Sequence, residues 1–206
     1  MTTAQPSTVA DNAAAPEQPH AHHTCPWWLG YFLVNPLRRL REDPDRILGP
    51  HVRPGMTAID IGCAMGFFSL PLARRVGENG RVVCVDIQQR MLDRLEKRAR
   101  KAGLDRRIES RLASQNDLDL HDLAGRADIV LAVHVVHEAA YPRAFLQQCA
   151  ELLAPDGKLL VIEPAGHVSR ADFAETRRVA LELGLTEVEP RPRVRTHALL
   201  LARASR

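Results

Sequence analysis

No window of the 206-residue chain approaches the roughly 18 consecutive apolar residues that a membrane-spanning helix needs. Aromatic side chains make up only 4% of it, and both tryptophans fall together at Trp27 and Trp28. Cysteine is sparse: Cys25, Cys63, Cys84 and Cys149 stand far apart, with no C-x-x-C pair. That spacing excludes a disulfide framework and a zinc site built from cysteines. Lysine occurs only at 97, 101 and 158, and the net charge of +3 is too small to announce a nucleic-acid protein. Residues 1–24 hold no Lys or Arg and no apolar core segment, so they do not read as a secretory signal. No internal repeat is present. A fibrous protein, a membrane span and a multidomain enzyme are therefore excluded, because this length fills one domain with little to spare.

With 45% hydrophobic and 26% charged residues, what remains is an ordinary globular composition. Residues 1–24, rich in Ala, Pro, Gln and Thr, read as a disordered leader, and the cytoplasm is the expected compartment. Residues 25–50 read as a lid segment. They hold Pro26–Leu33, with the tryptophans, and an amphipathic helix over Pro36 to Leu48 with Leu37, Leu40, Ile47 and Leu48 apolar. From residue 51 onward one domain is expected. Strand patterns at Thr57–Ile61, Arg81–Asp86, Ile108–Leu112, Asp128–Val133 and Lys158–Ile162 alternate with helical patterns at Phe67–Val76, Gln88–Ala102, Arg143–Leu153 and Ala171–Leu183. Pro155-Asp-Gly157 reads as a turn. This alternation argues a parallel α/β sheet covered on both faces. Leu185–Val188 and His197–Ala202 follow with no helix between them, so one of them runs antiparallel.

The most informative segment is Asp60-Ile-Gly62-Cys-Ala-Met-Gly66, a strand leading through glycines into a helix. Such a turn presents backbone N–H groups and a helix N-terminus to a ligand, and glycine allows close approach. A dinucleotide fingerprint carries a further glycine where Ala64 stands, and an acid at Asp60 would repel a pyrophosphate. Asp86 closes the next strand, where an acid accepts hydrogen bonds from ribose hydroxyls. Together they favour a ligand with a ribose and a positive charge but no phosphate, which describes S-adenosylmethionine.

These residues resemble the class I S-adenosylmethionine-dependent methyltransferases over Met56 to Arg203. The family's first motif falls on Asp60, Gly62 and Gly66, its ribose acid on Asp86, with Ile87 and Gln88 beside the adenine. The resemblance places Ser114 and Gln115 at the adenine amino group, where an Asp is common in the family. It also implies that Cys63, Ala64, Phe67 and Val133 line the cofactor site. The implied fold is a Rossmann-like doubly wound sheet of seven strands, order 3-2-1-4-5-7-6, with the last strand antiparallel.

The expected activity is transfer of a methyl group to O, N, S or a metalloid of a small acceptor by in-line displacement. The ends of the fourth and fifth strands carry His134, His137, Glu163 and His167. His134, then His137, are the expected base or substrate-positioning groups, since neutral imidazole suits proton removal near pH 7. The same four residues are candidate ligands for a divalent metal such as Zn, Fe or Ni, with His20, His22, His23 and Cys25 able to join from the N-terminal segment. No long insertion follows the fifth strand, so residues 20–50 cap the pocket and a small acceptor is expected, in a monomer or homodimer. Three rival readings remain: an RNA methyltransferase, an S-adenosylmethionine- or metal-binding protein without turnover, and a nicotinamide oxidoreductase. The Asn-Pro-Pro-Tyr motif of base-amino methyltransferases is absent, and no trio of close cysteines suggests an arsenite methyltransferase.

Overall fold

The computed structural model describes residues 36–40, 42–189 and 196–204. The leader (1–24), the first part of the lid segment, and His20, His22, His23 and Cys25 lie outside the described residues. Among those described, seven strands form one sheet: β1 Thr57–Ile61, β2 Arg81–Asp86, β3 Ile108–Leu112, β4 Ala127–Val133, β5 Leu153–Glu163, β6 Leu185–Glu187 and β7 His197–Arg203. Their order is β3-β2-β1-β4-β5-β7-β6. β1 pairs in parallel with β2 and β4, while β7 runs antiparallel between β5 and β6. This is the sheet expected from the sequence.

Side-chain alternation along the strands divides the core in two. Ala58, Val82, Cys84, Leu131 and Leu160 face one layer, made of α1 Pro44–Leu48, α2 Ser69–Val76 and α3 Gln89–Lys101. Ile59, Val83, Val85, Val130 and Val161 face the other, made of α4 Pro142–Leu152 and α5 Arg170–Glu182. Both faces are covered, so the central strands are mostly apolar, and their buried acids, Asp60, Asp86 and Glu163, fall near the carboxyl ends that open at one edge.

Two local expectations are corrected. The single helix over Pro36–Leu48 divides into a 3-10 turn at Pro36–Leu40 and the short α1. Pro44 forces Asp43 into extended backbone (φ −87°, ψ 108°), and the Asp43 carboxylate caps α1 by accepting from the Asp45 N–H. Leu40, expected on an apolar face, is 84% exposed. The turn at Pro155-Asp-Gly157 is instead a bulge inside β5, with Ala127 opposite Leu153 but Ile129 opposite Lys158. Gly157 permits this, because a Cβ there would lie 2.3 Å from the Ala127 carbonyl oxygen.

Candidate active site

A cavity of about 310 Å³ opens at the carboxyl ends of the strands. Its floor is the loop between β1 and α2. The Gly62 and Cys63 N–H groups donate to the Val85 carbonyl at 2.8 and 3.0 Å, holding the loop against β2. Gly62 and Gly66 adopt φ of +70° and +81°, and Ala64 shares that left-handed region at +46°. A Cβ on Gly62 would lie 2.8 Å from Val135, and one on Gly66 only 2.3 Å from Leu95. The loop is thus compressed between its neighbours, and glycine is required where the resemblance places it.

Two buried carboxylates flank this loop. Asp86 accepts from the Ala64 N–H at 2.9 Å and the Gln88 N–H at 2.8 Å, one on each oxygen. Burial raises its carboxyl, and these backbone bonds oppose the rise. Asp60 accepts from Ser69 Oγ at 2.5 Å. Burial pushes the Asp60 carboxyl up to about 7, opposed by the Ser69 bond and reinforced by the charge of Asp86. A buried acid of this kind gains from any cation brought beside it. Ile87, Gln88, Ser114 and Gln115 line the same end of the cavity, with Cys63, Ala64, Phe67 and Val133 nearby. Gly66 stands behind the loop against Leu95.

The opposite wall carries the histidines. His137, in the 3-10 turn Val136–Glu138, directs Nδ1 to the carboxylate of Glu163. Glu163 is 1% exposed and also accepts the Val136 N–H at 2.9 Å. The hydrogen bond to Glu163 raises the His137 pKa, burial opposes this, and the Glu163 charge adds to it. His134 follows β4 at φ +57°, with its N–H donating to Ile162 at 2.7 Å. A non-glycine residue held there costs about 1–2 kcal/mol, so the surroundings must impose the conformation. Its Nδ1 lies 3.1 Å from Arg38 Nη2. Its Nε2 lies 3.2 Å from Glu42 Oε1 without the alignment of a hydrogen bond, and both atoms are sealed from solvent.

Arg38 completes this wall. Its Nε and Nη2 donate to Glu42 Oε2 at 2.9 and 2.6 Å, and its guanidinium stacks 4.3 Å from the Phe67 ring centroid. Burial alone would raise the Glu42 carboxyl, but His134 and Arg38 bring it below its ordinary range. Neither Arg38 nor Glu42 was singled out from the sequence. Their i,i+4 spacing was readable, but their approach to His134, 96 residues from Arg38, was not. Glu138, which the sequence also places at the end of the fourth strand, is on the wall as well, while Phe145 carried no recognisable signal.

The expected metal set is corrected. Among the described residues, no three His, Cys, Asp or Glu side chains converge as a metal-binding group. His134, His137, Glu163 and His167 divide instead: His134 faces Glu42, His137 holds Glu163, and the His167 ring centroid stands 6.4 Å from that of His137. Each acid is already committed to a histidine and a second donor.

Residues 53–187 match the family described as the methyltransferase domain. The chain belongs to this family. The ubiquinone biosynthesis O-methyltransferase of Caulobacter sp. (strain K31) is 38% identical over 107 residues, which are 52% of this chain and 40% of that protein. Its counterpart in Bradyrhizobium diazoefficiens is 30% identical over 172 residues, 77% of this chain and 64% of that one. The methyltransferase-domain chain thus spans between 40% and 64% of the length of these relatives. Among solved structures, a SAM-dependent methyltransferase from Aquifex aeolicus superposes with TM-score 0.76 at 22% identity, covering 87% of this chain and 98% of that one. A SAM-dependent O-methyltransferase from Thermotoga maritima gives 0.63 at 19% identity, covering 80% and 66%. These two share the fold of this methyltransferase-domain protein. No helix among its described residues is long and apolar enough to cross a membrane.

Proposed function

We propose that this protein methylates a hydroxyl group of a small-molecule acceptor, using S-adenosylmethionine, with His137 as the base. The observation that carries the reading is the His137–Glu163 pair on the cavity wall opposite the Asp60–Asp86 loop.

The loop residues fit the cofactor. Gly62, Cys63 and Ala64 line the cavity floor, Asp86 holds lone pairs for ribose hydroxyls, and Asp60 is a buried acid that a cationic amino group would ionise. Bound S-adenosylmethionine supplies an electrophilic methyl group on a sulfonium. The remaining work is alignment and proton removal. Glu163 accepts from Nδ1, which fixes the neutral imidazole with its lone pair on Nε2, the opposite pole of the ring. His137 then takes the proton of the acceptor hydroxyl as the new O–C bond forms and the S–C bond breaks. Phe145, with Ala139 and Ala140, gives that wall an apolar, aromatic surface suited to a phenolic ring.

His134 takes a positioning role instead of the base role expected first. Arg38 donates to its Nδ1, and Nε2 is closed off against Glu42. Relatives named as ubiquinone biosynthesis O-methyltransferases support oxygen as the acceptor atom. The test is incubation with methyl-labelled S-adenosylmethionine and a panel of phenols, catechols, thiols and amines. Label is expected in a phenolic ether and not in the His137→Ala product. Transfer only to thiols or amines, or equal transfer by the variant, would overturn the reading.

A further inference from the structure

Helix α3 concentrates charge that the whole-chain balance conceals. It carries Arg90, Arg94, Lys97, Arg98, Arg100 and Lys101 against only Asp93 and Glu96, a net +4 on one helix in a chain of net +3. At about 100° per residue the signs separate. Arg90, Arg94, Lys97 and Lys101 form one outward stripe about 16 Å long, with the half-buried Arg98 at its edge donating to the Met65 carbonyl. Asp93 and Glu96 occupy the other flank, where Glu96 meets Arg100 at 3.8 Å. Arg74 of α2 extends the stripe. Burial, and then the Arg74 charge, hold the Arg98 guanidinium below its usual range.

A solvated helix face ordinarily mixes its signs, because like charges at i,i+4 destabilise the helix. Here Arg90/Arg94, Arg94/Arg98 and Lys97/Lys101 all repeat that unfavourable spacing. Among the described residues no carboxylate pairs with Arg74, Lys97 or Lys101. Where the stripe begins, at the cavity mouth, two apolar side chains stand in water. Ile87 is 39% exposed and lines the cavity, and Leu112, 51% exposed, pairs with Asp86 in the adjoining strand.

We infer that this face docks the protein on an anionic lipid surface, with phosphate headgroups along the α3 stripe and hydrocarbon against Ile87 and Leu112. A bilayer surface offers both chemistries at once. A single-stranded nucleic acid would call for aromatic stacking platforms, and α3 has no aromatic residue. The charged stripe stands apart from the methyl-transfer reading, since none of its residues enters the cavity, and only Ile87 is shared between the two.

The test is co-flotation of the full chain with phosphatidylcholine vesicles, with and without one-third phosphatidylglycerol, at low and high salt. Association with the anionic vesicles alone, lost at high salt, is expected. The double variant Lys97→Gln/Lys101→Gln should weaken partitioning about 25-fold, from about fivefold per cation. Leu112→Ser should weaken it while leaving its salt dependence unchanged. Calorimetric binding of S-adenosylhomocysteine, unaltered in all variants, separates loss of docking from loss of fold or of the cofactor site. No association, equal association with neutral vesicles, indifference to the double variant, or tighter binding to a duplex RNA at the same salt would each overturn the inference.

Discussion

Replacing Glu163 by Gln changes one atom and reverses the hydrogen-bond sense of the site. In the native protein the buried carboxylate accepts from both the Val136 N–H and His137 Nδ1. A Gln can keep the first bond with its carbonyl, which turns its NH2 toward His137. Nδ1 must then accept, the ring proton moves to Nε2, and the lone pair aimed at the acceptor is lost. General-base catalysis contributes about 10²–10⁴-fold, so kcat should fall by that factor, about 3–5 kcal/mol of barrier. The acidic limb of kcat/KM supplies a second readout. The Glu163 hydrogen bond holds the native His137 pKa above 6.5, so the native limb lies above that value. Without it only burial remains to act strongly, and the limb should move down. Stability gives a third, independent of turnover. A histidine with a raised folded pKa contributes stability that is complete below pH 6.5 and is lost as pH rises through the folded value. The native margin over the variant should therefore be larger at pH 6 than at pH 9. These are measured by labelled methyl transfer to a phenol across pH and by urea unfolding at the two pH values. A change in kcat below threefold with an unmoved acidic limb would refute the assignment of His137 as the base.

The cofactor end gives further expectations. Because the Asp60 carboxyl sits at about 7 in the free protein, S-adenosylhomocysteine should bind more tightly as pH rises from 6 to 8 and release a proton near pH 6.5. Calorimetry in buffers of different ionisation heat reads this, and Asp60→Asn should abolish the release. Gly66→Ala combines a left-handed backbone with a Cβ 2.3 Å from Leu95. It should cost about 2–5 kcal/mol in urea unfolding, the sum of backbone strain and overpacking. Remote from the cavity, His51 is 6% exposed and neither ring nitrogen has a hydrogen-bond partner. Burial, then Lys158 and Arg53, lower its pKa. The unfolded chain therefore takes up its proton first, and stability falls as pH drops below 6.5 by up to about 1.4 kcal/mol per unit. His51→Leu should flatten that slope in chemical denaturation at pH 7 and 5.5.

The strand positions and the glycine loop were legible because their signals are local. Runs such as Arg81-Val-Val-Cys-Val-Asp86 admit little but a buried strand, and the acid-flanked glycines report a turn whose sterics act within a few residues. Failures of the reading were also local in cause. Pro44 divides a helix that periodicity alone would continue, and Gly157 lets β5 carry a bulge instead of ending in a turn.

The sequence by itself therefore determined the sheet, its order through the family resemblance, and the residues around the loop. Only the tertiary structure decided what meets each histidine. His134 and His137 differ by three positions and look equivalent in the chain. Folding brings Arg38 and Glu42 from nearly a hundred residues upstream to enclose the first, and brings Glu163 from the next strand to orient the second. A histidine's role is set by what meets each of its two nitrogens, and those partners are assigned by packing, not by spacing.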